Sequence, residues 1–136
     1  MRVLAIDHGT VRMGIAMSDE LKIIAQPLEF IPAEPFSGFL KRLSELLRDY
    51  KVELILLGMP RNMDGSYGEA SLKVREFEAV LKNSITLPVK TWDERLTSVQ
   101  ANRALSQGGV KKQKKRQSVD AMAAAILLQS YLDSLA

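Results

Sequence analysis

The sequence predicts an α/β fold in which a mixed five-stranded sheet is flanked by helices. Its N-terminal part alternates short apolar runs with tight turns, which is typical of consecutive antiparallel strands. The remainder alternates apolar runs with segments of helical periodicity, which is typical of parallel β-α units. The chain has 136 residues, of which 46% are hydrophobic, so we expect one domain over residues 1–136 with a substantial core.

Three strands are expected first, as an antiparallel meander with short turns. We predict them over residues 4–7, 12–18 and 23–31. The first apolar run ends at Asp7, and the chain turns through Gly9 before the second run begins. Pro27 lies inside the third run and has no N–H to donate to a strand ladder. It therefore predicts an edge strand or a bulge at that position.

Helices and strands are expected to alternate after the meander. Pro35 suits the first turn of a helix that runs to about Tyr50, because apolar residues recur there at helical spacing. The elements predicted after it are a buried parallel strand over 52–57, a loop over 58–68, a helix over 69–82, a strand over 88–92, a helix from about 97 to 106, and a connection over 107–117. Ser118 is a suitable N-cap for the last helix, which puts Asp120 in its first turn.

A basic segment is the main asymmetry of charge. Residues 95–119 hold seven of the 19 basic residues and no acid, so the rest of the chain, with 12 basic and 16 acidic residues, has a net charge of −4. This distribution predicts a polyanionic partner, although a solvated surface loop explains a lysine-rich run about equally well.

Several classes of protein are disfavoured by what the sequence lacks. It has no cysteine, which excludes disulfides and thiolate-bound zinc. No apolar run approaches the roughly 18–20 residues that a membrane span needs, and the N-terminus does not have the layout of a signal peptide. We therefore expect a soluble cytoplasmic protein.

Acidic residues follow strands or lie near a helix start at three places in the chain. Asp7 ends the first strand, Asp93 and Glu94 end the last strand, and Asp120 lies on the last helix. If the first strand is central, these acids meet at the carboxyl ends of the strands, where open α/β sheets place their sites. Clustered carboxylates repel one another unless a cation compensates, and Mg²⁺ or Mn²⁺ prefers such oxygen ligands. Taken singly, each acid fits a cap or a turn better.

Four blocks of sequence resemble the YqgF family, whose members are named as pre-16S ribosomal RNA nucleases and as Holliday junction resolvases. The blocks are residues 5–19, then Gly58-Met59-Pro60 with Asn62, Asp64-Gly65 and Gly68, then residues 93–97, and finally residues 120–133. The four occur in order, cover nearly the whole chain and are specific together. The resemblance implies an RNase H-like fold and a nuclease that depends on Mg²⁺ or Mn²⁺. The catalytic and metal-binding residues that it implies are Asp7, Glu94 and Asp120.

Glu94 is preferred over Asp93 as the metal ligand. Related bacterial junction resolvases hold metal with a Glu at a similar strand end, and alternation along the strand turns Asp93 to the other face. Those resolvases also carry a fourth acid one helical turn before the position of Asp120, where this chain has Gln117. We therefore expect a weaker metal site, or one that water and substrate phosphates complete.

Seven basic side chains and one amide are the candidate substrate-binding residues. They are Arg12, Asn62, Arg95, Lys111, Lys112, Lys114, Lys115 and Arg116. Arg12 equally suits an ion pair across the hairpin, and Asn62 equally suits a tight turn. Two other conspicuous residues are not counted in this set. A packing or surface role is preferred over a catalytic base at His8, and a packing role is preferred over base stacking at Trp92.

The leading prediction is an endonuclease that processes the 5′ end of pre-16S rRNA in ribosome biogenesis. A resolvase of branched DNA is the nearest alternative, but it needs two symmetric cuts and hence a dimer. The sequence shows no strong apolar seam, so we expect a monomer or weak homodimer acting on structured RNA.

A non-catalytic binding module would have no use for clustered acids. ATPases and sugar kinases of the actin-like kind share a motif like Asp7-x-Gly9-Thr10, but they need two domains.

Overall fold

The secondary structure follows the predicted order of strands and helices. The computed structural model describes residues 1–60, 68–93 and 112–135, and over residues 112–120 it describes the backbone alone. The elements are β1 (Arg2–Asp7), β2 (Arg12–Ser18), β3 (Ala25–Pro32), α1 (Phe36–Asp49), β4 (Val52–Met59), α2 (Glu69–Ser84), β5 (Val89–Asp93) and α3 (Lys112–Ser134). The helix predicted from about 97 to 106 lies outside the described residues.

The five strands form one mixed sheet in the order β3-β2-β1-β4-β5. The pairs β1–β2 and β2–β3 are antiparallel, whereas β1–β4 and β4–β5 are parallel. The predicted meander, the parallel β-α units and the central position of β1 are all confirmed. The carboxyl ends of β1, β4 and β5 consequently lie at one edge of the sheet, which we call the carboxyl edge.

The third strand begins two residues later than predicted, at Ala25. The side chain of Asp19 explains the difference, because its Oδ1 accepts hydrogen bonds from the backbone N–H groups of Ile23 (2.8 Å) and Ile24 (3.1 Å). These two residues therefore close a turn and are not part of the strand. β3 is an edge strand, and its register with β2 shifts next to Pro27, so both features that the proline predicts are present.

Strand β1 is buried on both faces of the sheet. Leu4 and Ile6 belong to a core cluster that includes residues of α1 and α2. Val3 and Ala5 point the other way, into a second cluster that includes residues of α3. All four side chains are at most 2% exposed. Packing from both sides therefore fixes the position of the strand that ends at Asp7.

Helix α3 begins at Lys112, six residues before the cap predicted at Ser118. Asp120 consequently lies in the third turn of the helix and not in its first. The residues Lys112, Lys114, Lys115 and Arg116 belong to the helix, although the sequence suggested an irregular connection. Lysine, arginine and glutamine are strong helix formers, so the run before Ser118 extends the helix.

Small side chains let α3 pack closely on the antiparallel half of the sheet. Ala5 and Ala16 are partners in the β1–β2 register, and both are fully buried with Ala124 in the second cluster. Gln129 ties α3 to the start of β3. Its Oε1 accepts a hydrogen bond from the N–H of Ala25, and its Nε2 donates one to the Ile23 carbonyl. No helix in the described part of the chain has the length and apolar character needed to cross a membrane.

We predict that Gly9→Ala destabilises the protein by about 2–3 kcal/mol, as overpacking does elsewhere. A Cβ at Gly9 would overlap the backbone carbonyl of Arg12, so the turn between β1 and β2 would have to move. Urea denaturation measures the loss.

Gly38→Ala is the matched control, because a Cβ there meets only the Pro35 ring at ordinary contact distance. Gly38 is helical, so the control should gain about 0.5–1 kcal/mol. Equal effects of the two substitutions would show that the tight turn is not a constraint.

Candidate active site at the carboxyl edge

Asp7 is the last residue of β1 and is half-buried. Its partner across the hairpin is Gly14 of β2. Side chains alternate along a strand, so Asp7 lies on the same face as Val3 and Ala5, which is the face covered by α3. The carboxylate is therefore placed at the carboxyl edge, on the α3 side of the sheet.

The neighbouring parallel strand places a glycine beside Asp7. Ile6 pairs with Leu57 of β4, so the next residue of β4, Gly58, lies level with Asp7 and carries no side chain. On its other side Gly58 pairs with Trp92 of β5. Because β4 lies between β1 and β5, the carboxyl ends of β1 and β5 are about 10 Å apart.

Trp92 fixes which face each residue at the end of β5 occupies. Its Nε1 donates to the Ser130 hydroxyl of α3 (3.2 Å), and its ring meets Tyr131 edge-on at 5.2 Å. The packing role predicted for Trp92 is confirmed by these contacts. Alternation then turns Asp93 to the face opposite Asp7, as the sequence argument requires. The next residue, Glu94, lies outside the described residues.

The three-carboxylate set stays a prediction. Asp120 belongs to α3, but only its backbone is described. Among the described side chains, no three metal-ligating residues lie together. The candidate substrate-binding residues Asn62, Arg95 and Lys111 also lie outside the described part of the chain.

His8 packs against helix α2 on the face opposite Asp7. Its ring centroid lies 5.1 Å from that of Phe77, and the histidine is half-buried. Burial lowers the pKa of His8 below its ordinary value; the charge of Asp7 opposes this shift and that of Lys73 adds to it. The imidazole is therefore mainly neutral at pH 7, and the packing role predicted for His8 is confirmed.

Arg12 begins β2, beside the end of β1. Its guanidinium carbon lies 5.3 Å from the centre of the Phe30 ring, a cation–π contact between neighbouring strands. The residue is exposed at the carboxyl edge. Binding of substrate by Arg12 stays a prediction.

A cleft between the β1–β2 turn and α2 was not found from the sequence. Residues 8–10 form one wall, and Lys73 and Phe77 of α2 contribute to the other. The cleft has a volume of about 580 Å³. The spacing of Lys73 and Phe77 puts both on one helix face, but only the packing of α2 shows that this face meets His8.

Two solved structures resemble this architecture along almost its whole length. A Fowlpox virus resolvase, solved with substrate Holliday junction DNA, is 12% identical with a TM-score of 0.61, covering 99% of each chain. RuvC from T. thermophilus, solved with a Holliday junction substrate, is 21% identical with a TM-score of 0.51, covering 99% of this chain and 95% of its own. At these identities the likeness shows the fold alone, which is the RNase H-like fold of resolvases.

The sequence comparisons define the family. A relative from Desulforamulus reducens is 44% identical over 134 residues, which are 98% of each chain, and one from Bacillus subtilis is 43% identical over 99% of each chain. Both carry the name "Putative pre-16S rRNA nuclease". A sequence model of the RuvX family, described as Holliday junction resolvase, matches residues 1–134. The chain belongs to the RuvX (YqgF) family.

Proposed function

We propose that this protein is a metal-dependent endonuclease that hydrolyses phosphodiester bonds and processes the 5′ end of pre-16S rRNA. The observation that supports it best is the position of Asp7, a half-buried carboxylate at the end of the central strand, level with Gly58 of the neighbouring strand. The names of the relatives supply the reaction and the substrate class. The protein would act in the cytoplasm, where the ribosomal precursor is made.

The donor set fits a hard divalent cation. Asp7, Glu94 and Asp120 would all offer carboxylate oxygens, the ligands that Mg²⁺ and Mn²⁺ prefer. When bound, such an ion polarises the phosphodiester and lowers the pKa of water.

Strand and helix periodicity support a position near Asp7 for the other two acids, Glu94 and Asp120. If strand alternation continues beyond Asp93, Glu94 returns to the α3 face. Asp120 precedes Ala124 by four residues and Leu127 by seven, and both are buried in the second cluster, so helical spacing predicts that Asp120 shares their stripe. Both acids would then reach the face on which Asp7 lies.

The basic residues supply the attraction for a phosphate backbone. Lys112, Lys114, Lys115 and Arg116 occupy the start of α3, where positive charge opposes the helix dipole. A polyanion bound there would relieve that repulsion as well as neutralise the side chains. These residues, with Lys111, Arg95 and Arg12, would guide the strand towards the acids without reading its sequence.

A resolvase of branched DNA is the second candidate. The description of the RuvX family favours it. The chemistry at the acids would be the same, but paired cuts would require two copies of the chain. The substrate that is cut separates the two functions.

We predict that Asp7→Asn, Glu94→Gln and Asp120→Asn each lower the cleavage rate by about 100-fold or more, because each removes a charge that holds the cation. A precursor 16S fragment and a four-way DNA junction are assayed side by side with Mg²⁺ or Mn²⁺. Circular dichroism checks that each variant is folded.

Asp49→Asn is the matched control for the same charge change, since Asp49 is exposed at the end of α1 and pairs with Arg48. It should cleave at the wild-type rate. Wild-type cleavage by all three site variants would overturn the metal-dependent nuclease, and faster cleavage of the junction would favour the resolvase.

We predict that Lys114→Gln combined with Lys115→Gln weakens binding of the precursor fragment and flattens its salt dependence. Each phosphate contact that is lost should reduce the slope of log K against log salt by about 0.7–0.9. The control pair is Lys41→Gln with Lys51→Gln, two exposed lysines on α1 and before β4. If both pairs give the same slope, the run at the start of α3 is only a solvated surface.

A further inference from the structure

We propose that the cleft between the β1–β2 turn and α2, named here the His8–Phe77 cleft, binds one unpaired nucleobase of the substrate strand, with guanine as its best ligand. This inference rests on the proposed function, because the ligand class is taken from a nucleic-acid substrate. It adds a base-binding subsite on the face of the sheet opposite Asp7.

Aromatic and aliphatic side chains line the inside of the cleft. His8 and Phe77 are in ring contact, and Phe36 lies edge-on to Phe77 at 6.4 Å. Met13 and Val80 complete the apolar lining. Unstacked bases are held in RNA-binding proteins by stacking on such rings. The volume of about 580 Å³ lies within the roughly 300–1,000 Å³ of typical ligand pockets.

The polar rim favours a base over a phosphate. Glu34 and Glu76 line the cleft together with Lys73 and Thr10, so two of the charged groups are carboxylates that repel an anion. An ionised carboxylate only accepts hydrogen bonds, and it can accept two in parallel. Guanine carries two adjacent donors, N1–H and the 2-amino group, on its Watson–Crick edge. The rim therefore matches guanine better than the other three bases.

The position of the cleft links it to the candidate active site. His8 directly follows Asp7, and the two side chains lie on opposite faces at the carboxyl edge. A strand that crosses this edge with a phosphate near Asp7 could extend a neighbouring base into the cleft. Such a base must be unpaired, which suits single-stranded or looped RNA.

The test is a titration of the full chain with free nucleotides, followed by NMR of the methyl groups of Met13 and Val80. GMP should shift both signals and bind at least about threefold more tightly than AMP, CMP or UMP. Ribose 5-phosphate, which has no base, should not shift them. The same shifts with ribose 5-phosphate would overturn the proposal, because the cleft would then bind phosphate. Equal affinity for all four nucleotides would overturn the guanine preference.

A pair of tryptophan substitutions on α2 provides the matched control. Val80→Trp fills the cleft from a side chain that is 46% exposed, and it should weaken GMP binding by about tenfold or more. Leu72→Trp adds the same bulk to the same helix at a residue that is 61% exposed and does not line the cleft. It should bind GMP within twofold of wild type, and equal losses in the two variants would overturn the site.

The Asp7→Asn variant separates this inference from the proposed function. It should lose cleavage and still bind GMP, since its side chain is on the other face. A wild-type protein that binds GMP but cuts neither substrate contradicts the nuclease alone. A wild-type protein that cuts RNA while GMP leaves the methyl signals unchanged contradicts the base-binding cleft alone.

Discussion

Burial of β1 on both faces is the constraint on which the rest of the structure depends. Leu4 and Ile6 are packed towards α1 and α2, whereas Val3 and Ala5 are packed towards α3. A strand held in this way cannot slip by one residue, because a slip would exchange the two sets of side chains between two different clusters. The residue that ends the strand, Asp7, therefore has a fixed place and a fixed face.

The same constraint gives neighbouring residues different surroundings. Asp7 is directed to the α3 side and stays half-buried, while His8 is directed to the α2 side and contacts Phe77. Gly9 has no Cβ that would overlap the Arg12 carbonyl, so the turn that follows can be tight. One sheet edge thus offers a carboxylate on one face and an aromatic cleft on the other. With a divalent cation held at Asp7, as proposed, the two faces would suit the phosphate and the base of one nucleic-acid strand.

The sheet, and the position of Asp7 at the end of β1, could be predicted from the sequence because they depend on local patterns. Alternation and turn residues are enough to predict the meander, and Pro27 predicts the irregular edge strand. The predicted start of α3 was wrong. Ser118 is a good cap in isolation, but the preceding lysines and glutamines have a stronger preference for the helix and extend it. The cleft beside His8 could not be predicted, since it depends on how α2 packs against a turn about 65 residues earlier in the chain.

The central claim is that Asp7, Glu94 and Asp120 hold a divalent cation at the carboxyl edge. Anomalous scattering from crystals soaked in Mn²⁺ tests it most directly, because it locates the ion without relying on activity. We expect a manganese peak within about 2.5 Å of a carboxylate oxygen of Asp7, with Glu94 and Asp120 as further ligands. A peak bound only elsewhere on the protein, with Asp7 in contact with no ion, would contradict the claim.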